Sequence, residues 1–209
     1  MIGRGQRIVV AMIVVAAGAV LSCGSGGRRA PSIENEARAL LAAGDTAKAI
    51  HHIESSGLTR RGDLKLYLLL GQLYREQETI SGRLRSQRVL ERGLQLYPDH
   101  PRILLELGKT YYAQGFLPDA VRCFNAALSA DCGLCEAHRY LGLYYYSNWK
   151  RVQQYLDDLL AARRHFAAAV TCDASDLEST TKLAFSLYAL DRHAAAAGRA
   201  PDPDRAAAL

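Results

Sequence analysis

The sequence predicts an all-α fold of stacked antiparallel helix pairs, and three observations carry that prediction. One motif recurs, as Tyr67-x2-Leu70-Gly71-x2-Tyr74, Leu104-x2-Leu107-Gly108-x2-Tyr111 and His138-x2-Leu141-Gly142-x2-Tyr145. Its members fall at i, i+3, i+4 and i+7, which puts them on one face of a helix. Small residues at the same phase, Ala37, Gly71, Gly108, Gly142 and Ala184, follow one another at 34, 37, 34 and 42 residues. Self-similarity at that period is the mark of a repeat architecture. Turn formers fall between the motifs, as Gly44-Asp45 and as Asp99-His100 between Pro98 and Pro101, where a helix cannot continue.

The fullest unit runs from Pro101 to Cys135, where the first-helix motif is followed by Ala120-x3-Phe124 and Ala127-Leu128. This spacing resembles a tetratricopeptide repeat (TPR), a helix-turn-helix unit that must stack on copies of itself to bury its apolar face. The resemblance spans residues 33–190. It implies a right-handed α-solenoid of about four TPR units plus a C-terminal capping helix, and binding of proteins or peptides.

Ahead of the repeats, Met1 to Arg7 holds two arginines and no acid, and Ile8 to Leu21 is apolar or small throughout. That is the layout of a secretory signal, and fourteen helical residues reach only about 21 Å, short of a bilayer core. Val20-Leu21-Ser22-Cys23-Gly24 resembles a bacterial lipobox. The resemblance implies a signal peptide over 1–22, a diacylglyceryl thioether on Cys23 with an acylated (palmitate-type) amino group, and a flexible tether over 23–32. The expected location is extracytoplasmic and lipid-anchored to a bacterial membrane. Gly24, in place of an aspartate, favours the periplasmic side of an outer membrane. Loss of Arg4 and Arg7 lowers the formal charge from +5 to +3, too little to argue for nucleic acid.

In the first repeat Ile33, Ala37 and Leu40 mark one helix and Ala49 with Ile53 the next; Glu36, where a leucine is expected, suits a terminal unit. In the second, Ser86-x3-Leu90 with Gly93-Leu94 is displaced by three residues, which predicts a longer turn over Thr79-Ile80-Ser81-Gly82. The fourth closes with Ala162-x3-Phe166 and Ala169-Val170. Its eight extra residues predict one added turn on each helix, so that Asn148 to Asp158 project. Leu177 to Leu190 reads as the capping helix and 191–209 as a disordered tail.

By the resemblance, first helices line a concave surface through a face at i, i+3, i+7 and i+10. That face reads Lys65, Leu68, Gln72, Arg75; Arg102, Leu105, Lys109, Tyr112; Glu136, Arg139, Leu143, Tyr146; and Thr181, Phe185, Tyr188. Aromatic and apolar residues beside cations suit an extended or helical peptide bearing acids. An alternative cover for Leu143, Phe185 and Tyr188 is the C-terminal tail or a second copy.

Cys132-Gly133-Leu134-Cys135 is open to several readings: a disulfide across the join between two repeats, half of a zinc site with His138 and Cys123, or a redox pair. Small buried thiols, like Cys123 and Cys172, are the remaining reading. No βαβ pattern surrounds the motif, which argues against a thioredoxin-like catalyst. His51-His52 and Asp157-Asp158 point apart on a helix and read as solvated surface. No nucleophile elbow, phosphate loop or zinc-protease motif occurs, so no catalytic residue, cofactor or metal is expected. The expected function is a non-catalytic adaptor for protein or peptide partners at the cell envelope. The alternatives are a solute-transport accessory with a closed apolar pocket near Leu143 and Phe185, and a self-assembling module; the oligomeric state is open.

Overall fold

The computed structural model describes residues 32–57, 62–152 and 156–198. The signal peptide, Cys23, most of the tether, the tip of the fourth hairpin and residues 199–209 lie outside them. The described residues form helices α1 (Ile33–Ala42), α2 (Thr46–Ser55), α3 (Leu64–Glu76), α4 (Ile80–Leu96), α5 (Pro101–Gln114), α6 (Leu117–Ala130), α7 (Cys135–Val152), α8 (Leu156–Cys172) and α9 (Leu177–Ala196). Consecutive helices pack as antiparallel pairs, and the odd-numbered helices also meet one another from α3 to α9.

Local chemistry sets the helix ends. Ser32 accepts from the Asn35 N–H (3.2 Å) and Asp63 from the Lys65 N–H (3.0 Å), satisfying donors that a first turn leaves free. Pro101 begins α5, where its missing N–H costs nothing, and Gly115, at φ +83°, ends it in the left-handed conformation.

The glycines of the recurring motif are contact points. A Cβ on Gly71 would stand 2.6 Å from Leu90, one on Gly108 2.6 Å from Phe124, and one on Gly142 2.7 Å from Phe166. Each pair therefore closes by seating the large residue of its second helix on the bare backbone of its first. Buried Tyr67, Tyr74, Leu90, Ile103, Phe124, Leu141 and Phe166 fill the space between layers. Two tyrosines at the same phase also tie repeats together. Tyr111 donates to Glu91 (3.0 Å) and Tyr74 donates to Glu54, each on the second helix of the preceding repeat. Burial, then the carboxylate partner, pushes both phenols up to about 12.

Two expectations change and a third holds. The segment Thr79–Gly82 is not a longer turn: Thr79 caps α4 by accepting from the Gly82 N–H (2.9 Å), and the extra residues lengthen the helix. The capping helix does not stop at Leu190, because the alanine-rich run carries α9 on to Ala196. The extra residues of the fourth repeat do lengthen both helices, to 18 residues in α7 and 17 in α8 against 14 each in α5 and α6.

Candidate functional site: a groove and an aromatic pocket on the first-helix face

The face predicted from sequence divides into a groove, a chain of ion pairs and an aromatic pocket. The groove, about 680 Å³, lies across α1, α3, α5 and the start of α7. Leu68, Leu69 and Leu105 form its floor. Arg38, Lys65 and Arg102 stand around it with Glu34, Glu106 and Glu136. Its charge is therefore balanced, where the sequence pointed to an excess of cations. Glu34 bonds to Arg38 (3.0 Å) and lies 3.5 Å from Lys65, and its carboxyl is held below the usual range, first by the Arg38 hydrogen bond. Arg102 is exposed and has no ion pair among the described residues.

Beside the groove, charges from successive first helices pair with one another. Glu106 accepts from Arg75 (2.9 Å) and Lys109 (2.8 Å), and Lys109 also reaches Glu136 (2.6 Å). Arg139 continues the chain to Glu136 (3.6 Å), Asp176 (3.8 Å) and Glu178 (3.5 Å). Lys109 is only 6% exposed. Its place in the predicted partner surface is corrected accordingly: its ammonium is committed to two carboxylates, and Arg75 and Arg139 are likewise engaged. Arg139 lies over Tyr140 as well, its guanidinium 5.3 Å from the ring centre. Tyr112 also turns inward, edge-on to Tyr140 at 5.2 Å, and burial raises its phenol above the ordinary value. Leu143 is half-buried and lines neither hollow.

The pocket, about 430 Å³, lies between the C-terminal half of α7 and α9, and is lined by Tyr146, Trp149, Phe185, Tyr188, Ala189, Arg192, His193 and Ala196. Phe185 is 54% and Tyr188 53% exposed, so this is not the closed cavity that the solute-handling alternative requires. Tyr146 packs against Phe166 and Trp149, and the Lys182 ammonium sits 5.1 Å from its ring centre. Trp149 and Arg192 escaped the sequence reading because the strict i, i+3, i+7, i+10 register stops short of them; the next turn of each helix supplies both.

The cysteines pair differently from the CxxC reading. Cys135, the first residue of α7, is bonded to Cys172, the last of α8, with their Cα atoms 5.5 Å apart. The long hairpin brings its two ends together, whereas Cys132 lies in the preceding loop, exposed and free. Cys123 is the other free thiol among the described residues, and burial pushes it up to about 11. His138, proposed as a zinc ligand, faces His165 instead, Nδ1 to Nδ1 at 3.1 Å. Among the described residues no group of three or more His, Cys, Asp or Glu side chains is placed to hold a metal ion. No helix among them is long and apolar enough to cross a membrane.

The fold is that of a TPR-type solenoid. It is similar to MamA from Desulfovibrio magneticus RS-1, at 19% identity over 79% of this chain and 88% of that one, with a TM-score of 0.61. A tetratricopeptide repeat protein from Parabacteroides merdae ATCC 43184 matches at 15% identity over 80% of this chain and 66% of that one, TM-score 0.58. A thermophilic TPR protein of Thermus thermophilus matches at 21% identity over 75% and 80%, TM-score 0.57. At such identities the likeness speaks for the fold. No protein-family model and no curated protein matches the chain.

Proposed function

We propose that this chain is a lipid-anchored, extracytoplasmic adaptor that binds, without catalysis, an extended segment of a protein partner at the cell envelope. The observation that carries the reading is the groove across α1, α3 and α5, with its leucine floor between charged walls. Among the groove cations, Arg102 alone is exposed without an ion pair among the described residues, so it and the floor are the recognition elements. The partner segment places an apolar side chain on Leu68 and Leu105 and a carboxylate near Arg102. The lipobox-like run ending at Cys23 supports the anchor.

In-cell crosslinking and affinity capture of the full chain and of an Arg102→Glu/Leu68→Asp variant test the groove, once equal helical melting shows both to be folded. A defined protein set that is captured by the first and lost in the second is expected; an unchanged set removes the groove from the mechanism. Metabolic labelling with an alkynyl fatty acid tests the anchor. Label that disappears in Cys23→Ser is expected, and absence of label in the natural sequence overturns it.

A further inference from the structure

No described helix follows α9, and its face toward α7 is left with Phe185 and Tyr188 more than half exposed one turn apart. Together with Tyr146 and Trp149 they form an aromatic strip of the kind that marks a binding surface. The pocket has three further properties. No carboxylate lines it, and Arg192 at its rim has no ion-pair partner among the described residues. Lys182 lies over the Tyr146 ring, so a second cation stands at its edge. The indole N–H of Trp149 is buried with no acceptor among the described residues, a cost that a carbonyl or carboxylate entering the pocket relieves. The complementary ligand is therefore flat and apolar, carries carboxylates and offers acceptors.

The chain itself contains such a segment immediately after α9. The helix ends at Ala196, Gly198 takes the left-handed conformation (φ +66°), and Pro201-Asp202-Pro203-Asp204 follows. This segment alternates two pyrrolidine rings with two carboxylates. Proline favours an extended backbone and aromatic grooves receive such segments, so docking loses little backbone freedom. The reach is sufficient. Phe185 lies about 17 Å along the helix from Ala196, and the eight residues from Ala196 to Asp204 span about 25 Å when extended. Ala196 and His193 line the pocket, so the segment starts at its rim.

We infer that Pro201–Asp204 docks on the α7–α9 aromatic pocket of its own chain, with prolines against Phe185, Tyr188 and Trp149 and aspartates toward Arg192 and Lys182. The inference is independent of the groove on α1, α3 and α5.

Trp149 is the single tryptophan, so its fluorescence reports this pocket. In the full chain, acrylamide quenching of Trp149 is expected to rise about twofold when the chain is ended after Gly198, and to return when a peptide of residues 199–209 is added. Asp202→Asn/Asp204→Asn, which leaves the length unchanged, should move quenching in the same direction. Equal quenching in the full and shortened chains, with the helical melts matched, overturns the inference. A photo-crosslinking residue at position 185 of the full chain identifies the occupant. A product within one chain to residues 201–204 is expected; crosslinking to a second copy, another protein or lipid overturns it.

Discussion

The groove across α3 and α5 and the pocket between α7 and α9 are built from the same helical register, yet one is neutralised and the other is left open. At α3, α5 and α7 each first helix has another on either side, so a charge in the body of this face can meet an opposite charge one layer away, while Arg102 at the start of α5 stays exposed for a ligand. Arg75 pairs in that way with Glu106, Lys109 with Glu136 and Arg139 with Glu178. At α9 the stack of described helices ends, and Phe185 and Tyr188 have no layer to meet. Position within the stack, and not residue type alone, decides whether a residue of this face supports the fold or is free to bind.

The largest expected effect concerns the staple that closes the α7–α8 hairpin between the two regions. Cys135 and Cys172 are 37 residues apart, and a bond closing a loop of that size stabilises by about 4 kcal/mol, chiefly by restricting the unfolded chain. Cys135→Ser and Cys172→Ser should each lower the thermal midpoint by the same amount, and Cys132→Ser should leave it unchanged. Because Cys135 also lines the groove, binding there should weaken with the staple gone. Equal losses for Cys132→Ser and Cys135→Ser, with none for Cys172→Ser, would restore the CxxC pairing.

Next comes Lys109→Glu, which sets a third carboxylate between Glu106 and Glu136. Breaking a buried ion pair from one side is costly, and about 3 kcal/mol should be lost in urea unfolding. Phe185→Ser in the open region should change stability by no more than about 0.5 kcal/mol. If the two cost the same, the contrast between a self-paired and a free surface fails. A smaller effect is expected of Gly108→Ala, whose new Cβ would meet a Phe124 ring already stacked on Tyr140. Overpacking of this kind costs about 2 kcal/mol. Ala184, at the same phase of α9, already carries a Cβ, and no described helix follows to close on it.

The first helices could be read from sequence because the close approach of two backbones leaves room only for a small residue, and Gly71, Gly108 and Gly142 repeat it. The start of α4 could not. Threonine, serine and glycine read as a turn, yet Thr79 is a cap, and Gly82 is required because a Cβ there would stand 2.5 Å from the Tyr74 carbonyl oxygen. The candidate site was read less well for a different reason. A helical register shows which residues share a face, but the pairing of Lys109 with Glu136 joins residues 27 apart on different repeats and exists only once the layers stack. The cysteine pairing likewise depends on the lengths of α7 and α8, which bring residues 135 and 172 together.

The smallest effect is expected from acid, and it bears on α7, the one helix that contributes to both regions. His138 and His165 face each other across the hairpin, and both imidazoles titrate below the ordinary value of 6.5 because burial disfavours their charge; for His165 the value falls to about 4. A folded-state value below the unfolded one means that the neutral ring stabilises the fold. That contribution is complete above about pH 6.5 and is lost as the pH falls toward 4. The thermal midpoint of the natural sequence should therefore decline between those limits more steeply than that of His165→Phe, which keeps a ring for Tyr145 to stack on and removes the titrating group. Carboxylates that titrate in the lower part of the window are common to both proteins, so the difference between the two curves isolates the histidine. Trp149 fluorescence should report the loss before the circular dichroism of the whole chain does, because the pocket hangs on the far end of α7 while the repeats on α3 and α5 hold their own cores. Parallel curves for the two proteins would show that the histidine pair does not hold the hairpin.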